Sequence, residues 1–101
     1  MAYRAVRGCP PTLRDFMSYE ALGMHYDRRD FFKGTGMSMF TSRARAGAVG
    51  RRFSHGKAIA TIDLGRDGIV WSPTGSRGHI TVWAAPDVLL TRVVQCESNA
   101  S

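Results

Sequence analysis

Arg4, Ser38, Thr41 and His79 are side chains here whose types could do chemistry on, or bind, a polar ligand. An arginine offers a planar fork that matches phosphate oxygens. Hydroxyls hydrogen-bond ribose and amide groups, and a neutral imidazole serves near physiological pH as acid, base or hydrogen-bond partner. His79, Thr81 and Trp83 alternate along one segment, so they share a strand face on which an indole can stack against a planar ring. Each residue has a structural reading beside the chemical one. Arg4 is equally a solvated cation on an edge strand, Thr41 a helix cap, His79 an imidazole satisfied by local polar groups, and Trp83 a cover for the core. Asp15 and Asp63 are too isolated to be argued as a catalytic pair.

The elements that must position these groups are legible in outline. Residues 34–53 are the most informative stretch, a glycine-bounded apolar run that ends in hydroxyls and passes into a small-residue, arginine-studded segment. Thr41 or Ser42 can cap a helix over 42–53, because a side-chain oxygen accepts one of the amides that the first turn leaves unpaired. Ala46, Val49 and Phe53 fall on one helical face, and Arg43, Arg45, Arg51 and Arg52 lie on the others. A hydroxyl cluster beside a helix N-terminus with cations nearby is a place for a phosphate or dinucleotide.

Ahead of this stretch, the pattern predicts a strand over 3–7, stopped by Cys9-Pro10-Pro11, and a helix over 12–24 opened by Thr12 and Asp15. After it come strands over 58–64, placed at the centre of the sheet, and over 69–71 and 79–84. Ile80 and Val82 face inward on the last of these. Pro86-Asp87 breaks that strand, and a final strand runs over 89–94. Ile59, Ile62, Val49 and Phe53 are the expected core. The late strands are too closely spaced for helical crossovers, which gives an α+β fold with a small mixed or antiparallel sheet and two helices. Residues 1–96 form one domain, and 97–101 are read as a flexible tail.

Composition bounds the rest. The chain of 101 residues suffices for one modest core. No apolar run approaches the roughly 18 to 20 residues of a membrane span, and the basic N-terminus lacks the continuous apolar stretch of a secretion signal. Cys9 and Cys96 are expected as free thiols of a cytoplasmic protein, with one disulfide as the alternative should the terminal strands be neighbours. His25, His55 and His79 are far apart and no Cys-x-x-Cys exists, so no metal is expected. Residues 1–57 hold eleven Arg and Lys against four acids, whereas residues 58–101 hold three against four. Twelve of the fourteen cations are arginine, which suits an anionic partner, although a GC-rich coding sequence produces the same bias.

The order of elements carries a resemblance. Tyr3-Arg4 on the opening strand resembles the aromatic-arginine start of ADP-ribosyltransferase domains. Ser38-Met39-Phe40-Thr41-Ser42, running into a helix of small residues, is similar to their serine-rich strand and the helix that braces the nicotinamide pocket. The segment from His79 to Pro86 stands where their late acidic strand would be. The chain also resembles, over more of its length, a group of small bacterial proteins. These share an Asp-Phe-x-Ser-x-x-Ala-Leu-Gly-like segment (Asp15 to Gly23), a Gly-x-Ser-x-Phe-like strand (Gly36 to Phe40) and a Gly-His-x-Thr-x-Trp-like strand (Gly78 to Trp83). That second likeness brings no function with it.

The first implies an ADP-ribosyltransferase-like fold binding NAD or a related nucleotide. Tyr3, Arg4, Ser38, Thr41 and Trp83 would line the cofactor cleft, with His79 and Thr81 at the catalytic positions. Thr81 stands where the resemblance places a glutamate that stabilises the charge developing as the glycosidic bond breaks, so binding is expected ahead of transfer.

Two other classes remain open. A nucleic-acid binder would use the first-half arginines with Tyr26, Phe31 and Phe32 interleaved. A protein-binding module, of antitoxin, immunity or phage-inhibitor type, would need no such site.

Overall fold

Period-two alternation along the strands sorts the apolar residues into two separate cores, one on each face of a single sheet. A computed structural model describes residues 1–18, 22–23, 35–52, 56–65, 68–75 and 77–99. In order they form β1 (Ala2–Val6), a 3-10 turn (Leu13–Phe16), β2 (Met37–Phe40), α1 (Arg43–Gly50), β3 (Ala58–Ile62), β4 (Val70–Pro73), β5 (His79–Trp83), α2 (Pro86–Thr91) and β6 (Val93–Ser98). The six strands run β4-β5-β2-β1-β3-β6, and every neighbouring pair is antiparallel. The α+β expectation holds, with the antiparallel alternative realised.

On one face Val6, Met39, Ile62 and Val82 pack under Phe16 of the 3-10 turn and Leu89 of α2. On the other, Phe40 and Ile59 pack with Ala46 of α1, flanked by Tyr3 and Val49. Both faces of β3 are therefore covered, which is why all five of its residues are buried although it lies next to the edge strand β6. The central strands are β1 and β2, a correction to the placing of 58–64 at the centre.

Ser42 caps α1, its hydroxyl accepting from the Arg45 amide at 3.4 Å. Small residues make the close contact with the sheet: Ala46, Gly47 and Gly50 are buried, and Val49 is half-buried. A Cβ at Gly50 would stand 2.7 Å from the Ala5 Cβ and 3.2 Å from the Gly56 carbonyl. Only a residue without a side chain lets helix, strand and loop meet there. Phe53 lies outside the described residues.

Three further expectations are corrected. The helix over 12–24 is a single 3-10 turn, and the chain is extended again at Met17. The Asp15 carboxylate accepts from the amide and hydroxyl of Thr12 and from the Arg7 amide, which ties the turn back to the end of β1 instead of letting it run on. The strand over 89–94 divides into α2 and β6, because Pro86 occupies a first-turn position where its missing N–H costs nothing and Asp87 suits the helix start. The tail assignment fails for its first residues. Glu97 and Ser98 belong to β6, and the Asn99 side chain donates to the Gly47 and Gly56 carbonyls.

The free-thiol expectation is also overturned, since Cys9 and Cys96 are joined in a disulfide across 87 positions of sequence. Strand order explains it. β6 pairs with β3 and β3 with β1, so the loop leaving β1 comes within reach of the last strand. Among the described residues no helix is long and apolar enough to cross a membrane.

Closing so long a loop restricts the unfolded chain, so Cys9→Ser/Cys96→Ser is expected to lose about 2–5 kcal/mol in urea unfolding. Gly50→Val is expected to cost about 1–3 kcal/mol by overpacking, read as a lower urea midpoint with an unchanged slope.

Candidate functional site

β1 and β2 are joined less fully than their neighbours. β1 pairs with β3 from Ala2↔Ile62 through Val6↔Ala58, but its described register with β2 is Tyr3↔Phe40 alone. Arg4 follows Tyr3 on β1 and reaches across to β2. Its Nη1 donates to the Ser38 carbonyl at 2.6 Å and its Nε to the Asp15 carbonyl at 2.7 Å. One guanidinium thus links β1, β2 and the 3-10 turn. Charge-assisted bonds of this kind are roughly twice as strong as neutral ones.

Beyond this brace, the Ser38 side chain is exposed, and Ser38 stands directly opposite Thr81 of β5. Thr81 is buried, its hydroxyl bonded to that of Thr74 at 2.7 Å. His79 Nδ1 lies 2.9 Å from both the Thr74 hydroxyl and the Thr74 carbonyl. A carbonyl can only accept, so a proton on Nδ1 would donate to it, whereas a bare Nδ1 would accept from the Thr74 hydroxyl. The Phe40 ring meets the imidazole edge-on at 5.3 Å. His79 is a clasp for the β4–β5 hairpin. Trp83 is half-buried, and its Nε1 would stand 2.8 Å from a Cβ at Gly36, so the indole lies over bare backbone.

Thr41 works elsewhere. Its amide and hydroxyl both donate to the Gly78 carbonyl, at 2.9 and 3.4 Å. It also lines an apolar groove of about 260 Å³ with Met1, Leu64, Gly65, Trp71 and Ile80. Its role as helix cap passes to Ser42.

The expected pocket is therefore divided. The row Tyr3↔Phe40↔His79 puts those three residues on the α1 face, and Ser38, Thr81 and Trp83 share it by alternation. Arg4 is opposite Ala60, whose side chain belongs to the other core, and Thr41 lies by parity on that side too. Arg4 and His79 leave opposite faces of the sheet, so Arg4, Ser38, Thr41 and His79 do not converge. Arg4 meets Ser38 through a backbone oxygen, not through side chains.

Two residues that organise the region were not singled out as site residues. Asp15 is announced by its Thr12-x-x-Asp15 spacing, whereas Thr74 sits in a polar loop with nothing to mark it.

Most of the described arginines are exposed, and a few have partners within the chain. Arg43 pairs with Glu97 at 2.7 Å, and Arg51 donates to the Asn99 side chain. Arg7, Arg14, Arg45, Arg52 and Arg77 are exposed. Glu20, His25, His55, Tyr26, Phe31 and Phe32 lie outside the described residues. Among those described, no three His, Cys, Asp or Glu side chains gather as a metal site requires. No family model, curated protein or solved structure matches this chain.

If His79 is a clasp, His79→Ala removes hydrogen bonds worth about 1 kcal/mol, and the melting temperature falls by roughly 4–8 °C. The variant's response to added ligands should match that of the parent.

Proposed function

We propose that the junction of β1 and β2 binds a nucleotide of the NAD class, in an ADP-ribosyltransferase-like domain, and binds it without efficient transfer. The single observation that supports this reading is the exposed Ser38 hydroxyl on the α1 face, in register with Thr81 and backed from the other face by Arg4. Arg4 reaches the Ser38 carbonyl, and Ser38 stands in register with Thr81. In that arrangement the guanidinium, committed to the Ser38 and Asp15 carbonyls, would contribute positive potential and no direct contact. The exposed Ser38 hydroxyl would hydrogen-bond a ribose or amide, and Tyr3 and Trp83 would flank it on the same face.

Transfer requires a negative group beside the breaking glycosidic bond. Thr81 is neutral, the Asp15 carboxylate is taken up by the turn, and Glu97 is held by Arg43. A site of this composition orients a nucleotide better than it cleaves one. His79 has no part in it. The disulfide supports work in an oxidising compartment over the reducing cytoplasm that free thiols would indicate. Alkylation at the moment of lysis decides between them, with no label at Cys9 or Cys96 as the expected result.

Thermal-shift measurements with NAD, ADP-ribose and AMP test the binding. At a hundredfold excess over Kd a native-state ligand adds about 2.7 kcal/mol, a rise on the order of 10 °C. Ser38→Ala should reduce that rise, and no nicotinamide should accumulate. A melting temperature unmoved by every nucleotide at millimolar concentration would sink the reading.

A further inference from the structure

β4 ends the sheet, and its four residues, Val70–Pro73, are all exposed. Val70 and Trp71 keep 64% and 48% of their surface in water, high values for apolar strand residues. Sheet edges are ordinarily blunted by charges, bulges or covering segments, because their unpaired amides and carbonyls template another strand. The opposite edge strand, β6, carries the Glu97–Arg43 ion pair, a register shift against β3 and the Cys96 disulfide. β4 carries no charge at all, and among the described residues nothing pairs with its outer side. Its one safeguard is Pro73.

The phase of the ladder shows what this edge offers. The Thr74 amide donates to the His79 carbonyl, so the backbone groups of Thr74 and of Ser72 point toward β5. Those of Trp71 and Pro73 point away by alternation. The edge thus presents the Trp71 N–H and C=O and the Pro73 C=O. The Trp71 side chain meanwhile forms one wall of the 260 Å³ groove, with Ile80, Leu64 and Met1 around it.

We infer that β4 takes up an extended segment of another protein as a seventh strand, apolar at one position and acidic at its neighbours. The added strand exchanges hydrogen bonds with Trp71, and its apolar side chain enters the groove. Charge selects the acidic residues. The chain carries a net +6, Arg77 is exposed in the β4–β5 loop, and Arg45 packs against Gly78 of that loop, where a Cβ would stand 3.4 Å from its Cδ. A second copy of this chain is a poor occupant. Stable dimers bury about 800 Å² per partner, more than a strand of four residues supplies. Two copies of equal charge also repel. The inference is independent of nucleotide binding at the β1–β2 junction.

Selection of random octapeptides displayed on phage against the whole domain tests it, with affinities then measured on synthetic peptides of the enriched sequences. The enriched peptides should alternate apolar and acidic residues. Their affinity should fall at least tenfold with Trp71→Ala, and also with Trp71→Pro, which removes the outward N–H while leaving the β5 ladder intact. Val94→Ala, on the far edge, should change nothing, and melting curves of each variant confirm folding. Enriched peptides indifferent to both Trp71 variants, or no enrichment, would overturn the proposal. So would a dimer in sedimentation that dissociates on Trp71→Ala, which would give the edge to a second copy.

Discussion

The architecture around the candidate site depends on one side chain that ties two strands and a turn together. The described register between β1 and β2 is the single pair Tyr3↔Phe40, and Arg4 adds a link there by donating to a carbonyl on the neighbouring strand and to another on the 3-10 turn. The Asp15 carboxylate completes the arrangement from the other side by gathering the amides of Arg7 and Thr12. A rigid guanidinium suits this task because its donors are fixed in a plane and need little further ordering.

Legibility in the sequence followed the range of the interactions. β2 and β5 were readable because period-two alternation is local, and the cap of α1 because Ser42 precedes a small-residue helix directly. Periodicity alone predicts a longer helix in place of the 3-10 turn because Leu13, Phe16 and Met17 fit a helical face, while Asp15 is drawn to Arg7, a contact that periodicity does not register. At Pro86 the same residue type ends one element and starts the next, and only the second role was missed.

The site was legible residue by residue but not as an assembly. Alternation places His79, Thr81 and Trp83 together, and the sequence carries that much. The face of β1 on which Arg4 emerges depends on its pairing with β3, more than fifty positions away. Several groups with chemical potential prove to be fastenings: His79 closes a hairpin, Thr41 binds a loop carbonyl, and Glu97 holds the start of α1. What stays available is smaller and more specific, an exposed hydroxyl beside a cationic brace and a bare strand edge.

The disulfide also has a mechanical meaning. With Cys9 bound to Cys96, nearly all of the fold lies inside one covalent ring. β1 precedes Cys9 and the last residues of β6 follow Cys96, so a pull on the ends can strip these, after which the load passes through two sulfur atoms. Unwinding by force cannot extend the elements between the two cysteines while the bond holds. A machine that feeds polypeptide through a narrow channel would have to admit two chain segments side by side, or wait for a reductant.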